Sequence, residues 1–451
     1  MDSLPAELLQ VVFEAFVHIS RGNPRALGLV SHRWRSIVYA TPSLWSHIAL
    51  LGKTNLRLPI GAPDPSYTRC RAAKELESIL IRAGSTKLDV WISVESMEIL
   101  SDKWTTIDSN WLSKRCRKLT IYGASWSGNP WIRHLAEVEE LVVSRPPLQS
   151  AELWEDLQEH SIKLSSLELS GADVHLLAQF PKLSRRLRNV RVMDSEELRT
   201  VNSENLRLDS VECLLWSGAH PGNPVPPTTT HLRTLKLYRY REVVVPKAIW
   251  NSLTELWLLR PVRGSVRLVQ GSLALLALKT LILEGDWVEL SCIYAPALKT
   301  LRMMRWWATA GECRSALLSC TLRPPVVYIE VCVTAATLFL LLQGVWSGIE
   351  ELHCIYNFTD DLDPFPEKLA DHLCQSWLTH AKAPICPQLT TFTMLLDYTL
   401  RPAAVGDAVQ VKAVVRKMVE RRKAFAPLAI VLLGIRKSGI YGVSTEWASF
   451  S

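Results

Sequence analysis

Along most of this chain one pattern returns: an apolar residue, two others, an apolar residue, one other, an apolar residue. It reads Leu76/Ile79/Ile81, Cys116/Leu119/Ile121, Val138/Leu141/Val143, Leu164/Leu167/Leu169, Leu187/Val190/Val192 and Leu208/Val211/Cys213. It continues as Leu232/Leu235/Leu237, Leu253/Leu256/Leu258, Leu278/Leu281/Leu283 and Leu298/Leu301/Met303, with weaker copies at Val326/Ile329/Val331, Ile349/Leu352/Cys354 and Leu389/Phe392/Met394. From 116 to 349 the copies start 20 to 28 residues apart. The last two apolar positions lie two residues apart, so both side chains leave a short strand on one face and stack on neighbouring units. One strand per unit at this period predicts a repeat array over 76–400.

The first 49 residues follow a different period. Apolar residues at 8, 9, 12, 13, 16 and 19 form a wide helical stripe. Pro5 suits the first helical position, and Glu7 faces the positive helix end. Asn23-Pro24 starts a second helix by the same logic, with Leu27, Val30, Trp34 and Val38 on one face. Helices this short, with this much apolar surface, cannot bury it among themselves and need a partner surface.

These residues resemble an F-box. The opening Leu4-Pro5-Ala6-Glu7-Leu8-Leu9, the segment Leu27-Gly28-Leu29-Val30-Ser31-His32-Arg33-Trp34-Arg35 and the ending Thr41-Pro42-Ser43-Leu44-Trp45 fall in that family's order and spacing, the ending in the form common among fungal members. Ser31 stands where many members carry Cys. The resemblance implies docking to the Skp adaptor of a cullin–RING ubiquitin ligase, through Leu4, Pro5, Leu8, Leu9, Val12, Leu29, Val30 and Trp34. The array resembles irregular leucine-rich repeats. It lacks the Asn or Cys expected three residues after the last Leu, where Ala172, Pro261, Asp286 and Trp306 stand. No buried amide ladder then fixes the turns uniformly.

The expected fold is therefore α/β: a small all-α N-terminal module (1–49), a linker (50–75, with Pro59, Gly61, Pro63 and Pro65), an irregular leucine-rich-repeat solenoid (76–400) and a C-terminal cap (401–451). Strands line the concave face of that solenoid, and helices and loops its convex face. In the cap, 405–423 reads as a basic amphipathic helix, Leu428 to Leu433 as a strand and the remainder as a polar tail. Ser217 to His231, rich in Pro and Thr, reads as a loop between repeats.

Composition narrows the function. The 451 residues are 48% hydrophobic and 21% charged, a globular balance, and a net charge of +7 from dispersed basic residues argues against nucleic acid. Ten cysteines without a Cys-x-x-Cys pair suit free thiols in a reducing, intracellular compartment, cytoplasmic or nuclear. Met1-Asp2-Ser3 lacks the basic start of a secretory signal. Val331 to Val345 is apolar but shorter than the roughly 20 residues a membrane span requires. Phosphate-loop, His-Glu-x-x-His and Gly-x-Ser-x-Gly patterns are absent, so neither catalytic residues nor a cofactor is expected. His372, Cys374, His380 and Cys386 match no zinc spacing, so no metal is expected. The basic Arg416-Lys417 and Arg421-Arg422-Lys423 read as a solvated helix face.

Binding is expected on the strand positions between the apolar ones: Lys118/Thr120/Tyr122, Asn189/Arg191, Thr234/Lys236/Tyr238, Glu255/Trp257, Thr280/Ile282, Thr300/Arg302 and Glu351/His353. Tyr, Trp and Arg most often carry interface energy. Lys236, Tyr238, Trp257, Arg302, Arg305 and Trp306 are the candidate target contacts. The expected function is a non-catalytic substrate receptor of a ubiquitin ligase, joining the adaptor to an unknown target protein. The alternative is an interaction scaffold with no ligase role.

Overall fold

The structure is a computed structural model. It describes residues 4–19, 23–50, 67–70, 73–93, 114–122, 135–144, 151–170, 177, 179–193, 208–217, 229–240, 242–243, 245–260, 267–268, 272–284, 290–304, 320–331, 338, 341–357, 386–397, 412–413, 415–417, 419–420, 428, 430–439 and 442–450. The chain divides into two compact units, 1–211 and 212–451.

In the first unit, α1 (Ala6–Glu14) runs into a wider π-type turn, Ala15–Ile19. Pro5 sits just outside the helix as its cap rather than as its first residue. The apolar stripe proves double. Leu9, Phe13 and Val17 are buried, whereas Leu8, Val11, Val12 and Phe16 face outward. The second helix is two helices. Asn23 Oδ1 accepts from the Arg25 N–H at 2.8 Å and starts α2 (Pro24–Leu27). The chain then turns, because Ser31 Oγ accepts from the Trp34 N–H at 3.1 Å and caps a new helix, α3 (His32–Ala40). Leu29 and Val30 form the exposed turn between them. Phe13 and Trp34 meet at 4.7 Å, and the buried Trp45 donates from Nε1 to the Val38 carbonyl at 2.8 Å.

This helical module runs directly into a sheet. β1 (His47–Leu50) lies between β2 (Thr68–Cys70) and β3 (Leu88–Ser93). The stretch read as a linker thus supplies an edge strand, and α4 (Ala73–Arg82) begins inside it. Gly84, at φ 53°, ends that helix in a backbone conformation few side chains tolerate. Arg82 reaches back over the rings of Tyr39 (4.4 Å) and Trp45 (4.8 Å), fastening α4 to the module. Next come β4 (Cys116–Tyr122), β5 (Glu140–Ser144), α5 (Ala151–His160), β6 (Ser166–Ser170), α6 (Pro181–Ser184) and β7 (Asn189–Met193). The strands run parallel in the order β2-β1-β3-β4-β5-β6-β7.

The second unit carries β8 (Cys213–Ser217), β9 (Thr234–Tyr238), β10 (Glu242–Val243), β11 (Glu255–Leu259), β12 (Arg267–Leu268), β13 (Leu273–Ala274), β14 (Thr280–Glu284), β15 (Ile293–Tyr294) and β16 (Thr300–Met304). It continues with β17 (Val326–Val331), β18 (Glu351–Asn357), β19 (Thr391–Asp397), β20 (Ile430–Gly439) and β21 (Gly442–Phe450). The long parallel sheet here runs β8-β9-β11-β14-β16-β17-β18-β19-β20. β21 closes it antiparallel to β20, where the sequence suggested only a polar tail. β10–β12 and β13–β15 form separate short ladders. Val415 and Val419, among the helical residues 412–413, 415–417 and 419–420, are buried, while Arg416 and Lys417 beside them are exposed.

The repeat arithmetic holds with three corrections. Leu76, Ile79 and Ile81 sit on α4, not a strand; Ile81 faces outward. The strand of that unit is β3, with Leu88, Val90 and Ile92 inside, and a register shift at Leu88/Asp89 breaks its spacing. Leu208/Val211/Cys213 is three residues early: Leu214 and Trp216 pair with Leu235 and Leu237. Val326/Ile329/Val331 is two residues late, since Val327 and Ile329 pair with Leu301 and Met303.

One backbone hydrogen bond recurs at the strand entries. In several repeats the first apolar residue donates its N–H to the carbonyl three residues back, as in Val138 to Leu135, Leu164 to Ser161, Val211 to Leu208, Leu278 to Leu275 and Leu389 to Cys386. Those preceding residues are buried. A single carbonyl in one unit then accepts two N–H groups from the next: Arg233 takes Thr254 and Glu255, and Thr254 takes Lys279 and Thr280.

Candidate docking surfaces

The first candidate surface lies on the helical module. Because α1 is apolar on two sides and only one is used internally, Leu8 (51% exposed), Val12 and Phe16 stand bare, beside Val11. Across the α2–α3 turn, Leu29 (79%) and Val30 (61%) are barer still. Contiguous exposed leucines and valines of this kind mark contact sites. The adaptor candidates therefore divide. Leu8, Val12, Leu29, Val30 and Pro5 face solvent, and Leu4 is half-buried. Leu9 (0%) and Trp34 (8%) are inside the module and have no area left to offer a partner, so their part is to hold α1 against α3.

The second candidate surface is the sheet face opposite the apolar core. In the first unit it is closed over a large part. Ala49, Trp91, Tyr122 and Val142 point to that side yet are buried, with Tyr67 packed against them and Trp91 stacked on Tyr122 at 5.9 Å. Tyr122 is thus not an open contact position. Beside this cluster Asp89 is buried. It accepts from Arg117 Nε at 3.2 Å and Nη2 at 3.0 Å, and lies 3.3 Å from His47 Nε2. Burial alone would raise the Asp89 carboxyl. The bonds from His47 and Arg117, with their charges, outweigh burial and hold it below its ordinary value. The His18 ring lies tilted, 4.8 Å from that of His47, and burial, then the His47 charge, push its imidazole down.

In the second unit the same face is more open. Register aligns Leu215, Lys236, Trp257, Ile282, Arg302, Tyr328, His353 and Thr393 in one row across the strands. Lys236 Nζ sits 3.6 Å over the Trp257 ring. Arg302 lies 5.9 Å over Tyr328, and Tyr328 stacks on His353 at 4.2 Å. His353 in turn faces Glu351 at 3.2 Å. Lys236, Tyr238, Trp257 and Arg302 are all on this side and at least partly exposed. Arg305 and Trp306 lie outside the described residues. Tyr328, in the same row, went unnoticed from sequence because the repeat copy there was placed two residues late.

Among the described residues no group of His, Cys, Asp and Glu could hold a metal ion. Of the four metal candidates only Cys386 is described, and its Sγ donates to the Leu342 and Trp346 carbonyls. Burial pushes the thiols of Cys70 and Cys354 up to about 12 and that of Cys320 up to about 11. Such thiols are poor nucleophiles. Leu338, Leu341 and Leu342 of the apolar stretch are buried, and no helix among the described residues is long and apolar enough to cross a membrane. No protein-family model matches the chain, and neither does any curated protein.

Proposed function

We propose that this chain is a substrate receptor: its N-terminal module is an F-box that docks a Skp-type adaptor of a cullin–RING ubiquitin ligase, and its sheet is a leucine-rich-repeat surface that holds a target protein. The observation that carries this reading is the outward apolar side of α1 and the α2–α3 turn. Leu8, Val12, Leu29 and Val30 fall within the F-box-like motif and stay exposed after the module has packed its own core. An amphipathic helix with a second apolar side supports docking to a partner groove. The receptor does no chemistry of its own on this reading. It raises the effective concentration of the target near the ubiquitin carrier, which the partner subunits supply. A scaffold that binds targets without the adaptor remains the alternative reading.

A pull-down with purified Skp-type adaptor tests it. Leu8→Ala with Leu29→Ala removes two large side chains, each worth roughly 1.5–3 kcal/mol when buried. Binding is expected to weaken by about a hundredfold or more. Both positions are exposed, so the melting temperature should stay near wild type. Equal retention of wild type and the double variant would leave only the scaffold.

A further inference from the structure

Beyond Glu14, α1 gives way to the π-type turn Ala15–Ile19, a form rare in proteins and frequent at functional sites. Up to that point the helix is well fastened: Phe13 packs on Trp34, and Ser43 Oγ donates to Glu14 Oε1 at 2.7 Å. On the turn itself Val17 is buried, Phe16 is exposed, and the His18 ring lies 4.8 Å from that of His47, the first residue of β1. The end of α1 thus meets the sheet through a pair of imidazoles. His47 is placed to carry charge. Ser46 Oγ gives its proton to the Ser43 carbonyl at 2.7 Å, which leaves it an acceptor for His47 Nδ1 at 3.1 Å. His47 Nε2 faces the Asp89 carboxylate at 3.3 Å. Both ring nitrogens meet acceptors, a pattern that an imidazolium satisfies and a neutral ring does not. Among the described residues, the groups facing the pair are Glu14 on α1 and Asp89 on β3, with Arg117 of β4 bonded to Asp89 and the Tyr67 ring edge-on to His47 at 5.4 Å. His18 is exposed, so protons reach it from solvent.

We propose that His18 and His47 form an acid-released latch: at neutral pH their rings hold the turn Ala15–Ile19 on β1, and a proton on each drives the turn away, displacing Phe16 and weakening the adaptor surface. Like charges at this separation repel, and the turn beyond Glu14 is the part of α1 free to yield. The direction follows from linkage. Burial, then the His47 charge, hold the His18 imidazole below its ordinary value of about 6.5, against upward pulls from Glu14 and Asp89, and release restores that value. The closed turn is therefore fully favoured above the ordinary value and is lost as pH falls from there through the lower closed-state value. Asp89, held below its own ordinary value, stays ionised across this window and keeps its hold on His47. The effect on docking rests on the reading of α1 as the adaptor surface; the latch does not.

Hydrogen–deuterium exchange on the full chain at about pH 7.5 and about pH 5.5, scaled for the intrinsic exchange rate at each pH, tests the latch. Peptides covering 15–19 should lose protection several-fold at the lower pH, while those covering α3 keep theirs. His18→Phe retains a ring against His47 but takes no proton, so its turn should be equally protected at both values. His47→Gln removes the facing charge and should flatten the pH response in the same way. The latch is overturned if the wild-type turn keeps its protection at the lower pH, if α3 loses as much, or if both variants respond to pH as wild type does. A pull-down with purified Skp-type adaptor at the same two values reads the consequence. Wild type should bind several-fold more weakly at the lower pH, and His18→Phe should lose less; equal losses would overturn the link to docking. If the adaptor fails to bind at either pH, the receptor reading fails while the exchange result still decides the latch.

Discussion

Adjacent residues on one strand carry opposite duties here. Leu256 is fully buried between Leu235 and Leu281, whereas Trp257 beside it carries Lys236 on its ring. Leu256→Ala should cost about 2–5 kcal/mol, through lost transfer energy and the cavity left behind. Trp257→Ala should cost about 1 kcal/mol or less, the order of an exposed cation–π contact, while weakening target capture. Urea melts of the two variants check this; a tolerant Leu256 with a destabilising Trp257 would reverse the sheet faces. Asp89 makes a pH prediction. Its folded-state value is depressed, so its contribution is complete above the ordinary Asp value of about 3.9 and is lost as pH falls through the lower folded value. Asp89→Asn should destabilise the protein by about 1–3 kcal/mol at neutral pH and remove that part of the acid limb from a melt series taken below pH 4. The alternation that assigns these faces was legible in the sequence. That Tyr122 would be covered was not, because Trp91 stacks on it from a strand that fits no repeat spacing and Tyr67, just before β2, packs against the same cluster.

Elements were legible where one local signal was uncontested. Asn23-Pro24 opens α2 as its residues suggest. The continuous helix through Leu27, Val30 and Trp34 failed because Ser31 offers the backbone a competing cap, and the four residues of α2 hold too few bonds to resist it. Ser31→Ala should therefore lower stability by about 1 kcal/mol, read from a thermal melt. It should also weaken adaptor binding by loosening Leu29 and Val30. Unchanged binding with a lowered melt would show that this turn is not part of the docking surface. β3 escaped notice because its register shift moves the apolar spacing by one residue, and β21 because alternation in a polar strand resembles a tail. Most remaining strands were found, since each copy lies close to the strand it predicts. The backbone bond to the carbonyl three residues back, which sets the strand entry, leaves no mark on side-chain identity beyond one more buried position.

At the scale of the whole molecule, the proposed function gives two surfaces separate tasks. On that proposal the exposed side of α1 and the α2–α3 turn engages the adaptor, and the sheet face of the second unit engages the target. Because the helical module packs Phe13 on Trp34 and is fastened by Arg82, adaptor binding should act on a rigid surface and need no folding of the module. Hydrogen–deuterium exchange on the full chain, with and without purified Skp-type adaptor, tests this most directly. The account predicts added protection in peptides spanning 6–19 and 27–35, and unchanged exchange across β9, β11, β14 and β16. Protection confined to those strands, or no protection anywhere at saturating adaptor, would contradict it.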